Sequence, residues 1–127
     1  MKLAVISVAV IFGLGTLLFL SANNSPKNDL TYEQVKADVI KGAKFYDVRT
    51  PAEFSSSHFT DTTNLPLATL QSGAMPDVAK DTKIYIHCQS GNRSAQATTL
   101  LKEAGYTNVI DLRGLNDVQS IGGQLTT

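Results

Sequence analysis

The stretch Lys83-Ile84-Tyr85-Ile86-His87-Cys88-Gln89-Ser90-Gly91-Asn92-Arg93-Ser94 constrains this chain most, because its periodicity changes abruptly at the chain's only cysteine. Lys83 to His87 is short and rich in β-branched and aromatic residues, as a buried strand would be. From Ser94 to Ala104 the residues Ala97, Leu100, Leu101 and Ala104 recur at i, i+3, i+4 and i+7, which is helical spacing. A tight loop must join the two, and Gly91 permits backbone angles closed to other residues. Successive N–H groups of such a loop, with the N-terminus of the following helix, form a concave site for an anion. A thiolate at the mouth of that loop would be stabilised, and Arg93 lies on the same loop. A free cysteine taken alone reads as a small buried hydrophobe. At a strand–loop–helix junction, with Gly91 and Arg93 in register, Cys88 reads as a nucleophile.

Composition narrows the chemistry. The chain of 127 residues carries 11 basic and 11 acidic side chains. Setting aside residues 1–22, whose one charge is Lys2, leaves 10 against 11, so there is no basic footprint for nucleic acid. One cysteine excludes an internal disulfide and any multi-cysteine zinc site, and two distant histidines offer no metal cluster. About 100 residues beyond the N-terminal segment suffice for one core.

Met1-Lys2 precedes an uncharged run from Leu3 to Leu20, followed by the polar stretch Asn23 to Asp29. Residues 1–22 are thus expected to be a signal peptide or an uncleaved membrane anchor, 23–29 a linker, and 30–127 the folded domain. Lys2 would stay inside and the domain would be exported, periplasmic or anchored on the extracytoplasmic side; the membrane is met only through this segment.

Within the domain, Thr31-Tyr32-Glu33-Gln34 has the form of a capping box, and a first helix is expected to end near Gly42. Phe45 to Val48 reads as a strand, and Thr50-Pro51-Ala52-Glu53 as a second helix start. Thr62, Thr63 and Leu65 permit a short strand, Leu67 to Leu70 a helical turn, and Gln71 to Thr82 a loop. Asn108 to Leu112 is the last strand expected, and Asn116 to Ile121 a closing short helix. Strands alternating with helices imply a doubly wound α/β fold, a parallel sheet with helices on both faces. Ligands bind such sheets beyond the carboxyl ends of the strands. Cys88 and all three arginines, Arg49, Arg93 and Arg113, fall at or just after such ends, which points to a small anionic substrate. Arg93 is the foremost candidate, with part of its role in bracing loop carbonyls. Arg49 reads as scaffold, paired with Asp47 or Glu53, and Arg113 as either supporting or simply solvated. His87 adjoins Cys88, but adjacent strand residues face opposite ways, so its ring should point away from the thiol.

Cys88-Gln89-Ser90-Gly91-Asn92-Arg93-Ser94 closely resembles the active-site loop of rhodanese domains, which carry sulfane sulfur as a cysteine persulfide. Tyr46 to Phe54, His58, Asn64-Leu65-Pro66-Leu67 and Leu101 to Val109 also look like family segments, in family order, so the resemblance spans Leu30 to Gln124. Two departures stand out. Ser57-His58-Phe59-Thr60-Asp61-Thr62 replaces the family's frequent Gly-His-Ile-Pro-Gly-Ala, and Arg113-Gly114-Leu115-Asn116 stands where a Gly-Gly followed by tryptophan is common. The second is typical of small, exported, single-domain rhodaneses and implies a more open pocket.

The resemblance implies a thiosulfate sulfurtransferase. Cys88 would be the catalytic residue, Gln89, Ser90, Gly91, Asn92 and Arg93 the substrate-binding loop, and Asp47, Arg49 and Arg113 supporting residues. It implies no cofactor and no metal, a small anionic sulfur donor, a cyanide or thiol acceptor, and room for a protein acceptor. Two other readings remain. A cysteine phosphatase or arsenate reductase loop also runs from Cys to Arg and Ser, but with five residues between Cys and Arg, where Cys88 and Arg93 enclose four. A rhodanese-like binding module without catalysis is the third.

Overall fold

The computed structural model describes residues 29–127. The signal or anchor segment expected at 1–22, and all but the end of the linker, lie outside the described residues. The chain runs α1 (Tyr32–Ile40), β1 (Lys44–Asp47), α2 (Pro51–Ser56), β2 (His58–Phe59), β3 (Thr63–Asn64), α3 (Leu67–Gln71), β4 (Ile84–His87), α4 (Asn92–Glu103), β5 (Val109–Asp111), α5 (Leu115–Ser120) and β6 (Leu125–Thr126). Both expected capping boxes form: Thr31 accepts from the Gln34 N–H at 3.3 Å, and Thr50 from the Glu53 N–H at 3.3 Å. Gln34 and Glu53 reach back to the Thr31 and Thr50 N–H groups at 2.9 Å and 3.1 Å.

Four strands make one parallel sheet in the order β3-β1-β4-β5. Its faces follow the two-residue period of a strand. Phe45, Tyr85 and Val118 join Tyr32 and Val35 of α1 on one face, whereas Tyr46, Ile84, Ile86 and Cys88 join Leu67, Ala97 and Leu101 of α3 and α4 on the other. Helices therefore cover both faces, as a parallel sheet requires. All four residues of β4 are buried, and burying Ile84 and Ile86 stabilises the fold by roughly 1.5–3 kcal/mol each.

From β1 the chain crosses to β3 on one side, and β4 then takes its place on the other side of β1. The turnover of strand order thus falls between β1 and β4, and there the crevice opens beyond their carboxyl ends. Register pairs Asp47 with His87 across this point. One element was not expected: β2 and β6 form a two-residue antiparallel ribbon, burying Phe59. Strands of two residues are too short to show a period of two.

Candidate active site

β4 delivers Cys88 to the switch point, and the chain then turns at once into α4. Gly91 makes the turn with φ +101°, in the left-handed region that favours glycine. Its N–H donates to Cys88 Sγ at 3.0 Å. The Cys88 N–H donates to Arg113 O at 2.8 Å, and the Leu115 N–H to Gln89 O at 3.1 Å, so the segment after β5 backs the loop. Ser94, buried in the first turn of α4, donates to Gly91 O at 3.0 Å. No described residue accepts a hydrogen bond from the N–H groups of Gln89, Ser90, Asn92 or Arg93. These open donors lie on the loop that follows a buried cysteine whose sulfur is already tied to that loop by the Gly91 N–H.

The arginines divide. Arg93, expected on the substrate-binding loop with part of its role in bracing loop carbonyls, grips Glu53 with two prongs, Nη1–Oε1 at 2.6 Å and Nη2–Oε2 at 2.9 Å. That pair lies about a third exposed at the rim, and Arg93 holds the Glu53 carboxyl down to about 2. Arg49 is buried with Asp47, its Nε donating at 3.0 Å and 2.9 Å and its Nη2 at 2.6 Å. Nη2 also donates to Ser57 O at 2.7 Å, which ties β1 to the turn after α2. Scaffold is thus the placement of both Asp47 and Arg49. Arg113 is exposed with φ +70°, beside Gly91. His58 stacks on Phe54, its Nδ1 at 2.9 Å from Phe54 O.

His87 lies on the sheet face opposite Cys88, edge-on to Phe45 and Phe59. Burial pushes its pKa below the ordinary value. A cavity of about 270 Å³ opens between Val48, Thr50, Pro51, Leu67 and Arg93, flanking the ion pair at the rim. Gly114 was not singled out from the sequence. A Cβ there would sit 2.8 Å from Gln89 O and 3.0 Å from Ser90 Cα, so only glycine lets the two segments pass so closely. The signal lay in Arg113-Gly114 directly after a strand end.

A parallel sheet, a cysteine on a glycine-turned loop at the switch point and an N–H-lined mouth define a rhodanese-type domain, and the profile of the Rhodanese-like domain family matches residues 31–117: the chain belongs to that family. It is similar to a protein named Sulfurtransferase from Allochromatium vinosum, at 40% identity over 68 residues, covering 54% of this chain and 63% of that protein. It is also similar to Thiosulfate sulfurtransferase PspE of Escherichia coli, at 32% over 83 residues, covering 63% of this chain and 78% of the relative. Against the first of the curated relatives the matches span 37%, 66% and 63% of their lengths. Among solved structures, a rhodanese with anions from E. coli superposes with a TM-score of 0.55 at 31% identity, over 67% of this chain and 98% of that one.

Proposed function

We propose that this protein is a thiosulfate sulfurtransferase working by double displacement through Cys88. The Cys88 thiolate attacks the outer sulfur of thiosulfate; the new S–S bond forms as the old one breaks, and sulfite leaves with the electron pair. Cyanide or a thiolate then attacks the outer sulfur of the persulfide, taking it away and returning the Cys88 thiolate. The observation that carries this reading is the loop after buried Cys88, whose Gly91 N–H already donates to the sulfur and whose Gln89, Ser90, Asn92 and Arg93 N–H groups are open. They are fixed before any charge develops on the sulfur, the preorganisation by which oxyanion holes act. Because Cys88 is buried, the exposed side chains of Gln89 and Ser90 have to move aside for the donor while the loop backbone keeps its place. Arg93 at the rim draws an anionic donor toward it, in competition with Glu53.

Treated with thiosulfate, the protein should gain one sulfur atom's mass, and cyanide should remove it. Cys88→Ser, nearly isosteric, should lose both the adduct and turnover while remaining folded. Sulfur transfer by that variant would overturn the assignment.

The apolar run Leu3–Leu20 supports a second proposal, that the domain works outside the cytoplasm, exported or anchored. Fractionation of cells expressing the full chain tests it, and an unprocessed soluble cytoplasmic protein would refute it.

A further inference from the structure

We infer that His87 is a positioning residue: from the opposite face of the sheet it sets the orientation of the Cys88–Gln89 peptide, and so aims the first N–H of the sulfur cradle. The inference rests on the persulfide reading, since it assigns a cause to the direction of one cradle donor. His87 Nδ1 lies 3.2 Å from the carbonyl oxygen of Cys88, inside the buried layer. The ring is held there by Phe45 and Phe59, at centroid distances of 5.4 Å and 5.1 Å, and His87 has no exposed surface. The Cys88 carbonyl therefore points toward the face that carries α1 and α5.

Peptide planarity does the rest. In a trans peptide the C=O and the following N–H point in opposite directions, and the described chain contains no cis bond. With the Cys88 carbonyl turned toward His87, the Gln89 N–H must point toward the other face, where Cys88 and α4 lie. That N–H finds no acceptor among the described residues, so it is available to the sulfur. Without a donor at His87, the buried Cys88 carbonyl would be unsatisfied, and rotation of the peptide toward solvent would relieve it. The same rotation would swing the Gln89 N–H out of the cradle.

The far side of the ring explains why this residue is a histidine. Nε2 lies 3.5 Å from Asp47 Oδ2 and makes no hydrogen bond of its own. Asp47 is already bonded to Arg49; its carboxylate favours a charge on the ring more than Arg49 opposes one, but burial outweighs both and keeps the ring neutral. Phe45 and Phe59 supply no polar group. The neutral ring with its proton on Nδ1 is the form that serves the Cys88 carbonyl.

The test uses the full chain and its single thiol. His87→Phe keeps an aromatic ring against Phe45 and Phe59 but donates nothing; His87→Asn places an amide nitrogen near the Nδ1 position. Iodoacetamide alkylation of Cys88 at neutral pH, followed by mass, reads thiolate stabilisation whether or not the protein transfers sulfur. With circular dichroism unchanged, His87→Phe should alkylate about 10-fold more slowly, the effect of one hydrogen bond lost from a charged group. The same variant should lose about 10-fold or more in kcat for thiosulfate with KM little changed, and His87→Asn should recover most of both. Should His87→Phe not fold, His87→Gln takes its place, because its longer amide overshoots the Cys88 carbonyl. Wild-type alkylation by the folded non-donor variant, or His87→Asn as slow as that variant, would overturn the inference. A wild type that never accepts sulfur would instead sink the proposed function and leave the alkylation result to stand by itself.

Discussion

Arg93 and Glu53 are joined by two hydrogen bonds of 2.6 Å and 2.9 Å, linking the first turn of α4 to the first turn of α2 across forty residues of sequence. Glu53 does two jobs at once, since its Oε1 also accepts from Thr50 N–H and Oγ1 at the head of α2. Glu53→Gln should loosen both, costing about 1 kcal/mol at this partly exposed site. It should also release Arg93, so thiosulfate KM should fall and become more sensitive to salt. A KM unchanged or raised, measured at two ionic strengths, would show that Arg93 does not meet the donor. The sign with pH follows. The folded carboxyl is lowered to about 2 from an ordinary 4.5, so the clasp contributes stability above pH 4.5 and loses it as pH falls toward 2.

Asp47 and Arg49 form the opposite kind of pair, fully buried and linked by three side-chain hydrogen bonds. Removing one partner strands the other charge. Asp47→Asn should destabilise the domain by about 3–5 kcal/mol in urea unfolding, more than Glu53→Gln, because water screens the rim pair and not this one. Equal losses from the two variants would contradict that ordering.

Much of this arrangement was legible in the sequence, for local reasons. The periodicity switch at Cys88 marked the strand–loop–helix, and Gly91 marked the turn that its φ of +101° requires. Thr50-Pro51-Ala52-Glu53 announced a helix start through contacts three residues apart. What stayed hidden depends on approach in space. Glu53 read as a cap, and nothing in its neighbourhood pointed forty residues ahead to Arg93. Gly114 has an ordinary φ of −96°, so its need for glycine comes from the loop it touches. The β2–β6 ribbon is held by two residues on each side, beneath what a pattern can register.

Acidification should act through His87 as well. Burial keeps its pKa below the ordinary 6.5, so the unfolded chain takes up a proton the folded chain refuses. Stability should fall as pH drops below about 6.5. Melting temperatures of wild type and His87→Phe across pH 5 to 8 should therefore converge at low pH, after allowance for the constant packing difference. Parallel curves would mean that His87 titrates alike in both states.

The spacing of the loop sets its chemistry. A phosphoryl group presents three oxygens that each need donors during in-line attack, which calls for a wide ring of N–H groups. With four residues between Cys88 and Arg93, and Gly91 N–H 3.0 Å from the sulfur, the ring suits a single terminal sulfur. The wild type should transfer sulfur from thiosulfate to cyanide and leave aryl phosphates unhydrolysed. Inserting one glycine after Gly91 should lower the first activity. Robust Cys88-dependent phosphatase activity in the unmodified protein would favour the phosphatase reading.

Two glycines hold the loop for different reasons, and substitutions should separate them. At Gly91 the obstacle is backbone conformation: φ is +101°, while an added Cβ would find its nearest neighbour, Arg113 Cβ, at an ordinary 3.5 Å. Left-handed geometry costs an ordinary residue about 1–2 kcal/mol, and asparagine tolerates it best. Gly91→Asn should therefore retain more sulfur transfer than Gly91→Ala. At Gly114 the backbone is unstrained and the obstacle is steric, with a Cβ 2.8 Å from Gln89 O and 3.2 Å from Ser90 C. Both contacts are backbone, so the loop itself must move. Size then decides, and Gly114→Asn should be worse than Gly114→Ala, the reverse of the order at Gly91. Steady-state transfer rates of the four variants test this crossing. The same rank at both positions would mean that one mechanism, strain or crowding, governs both glycines.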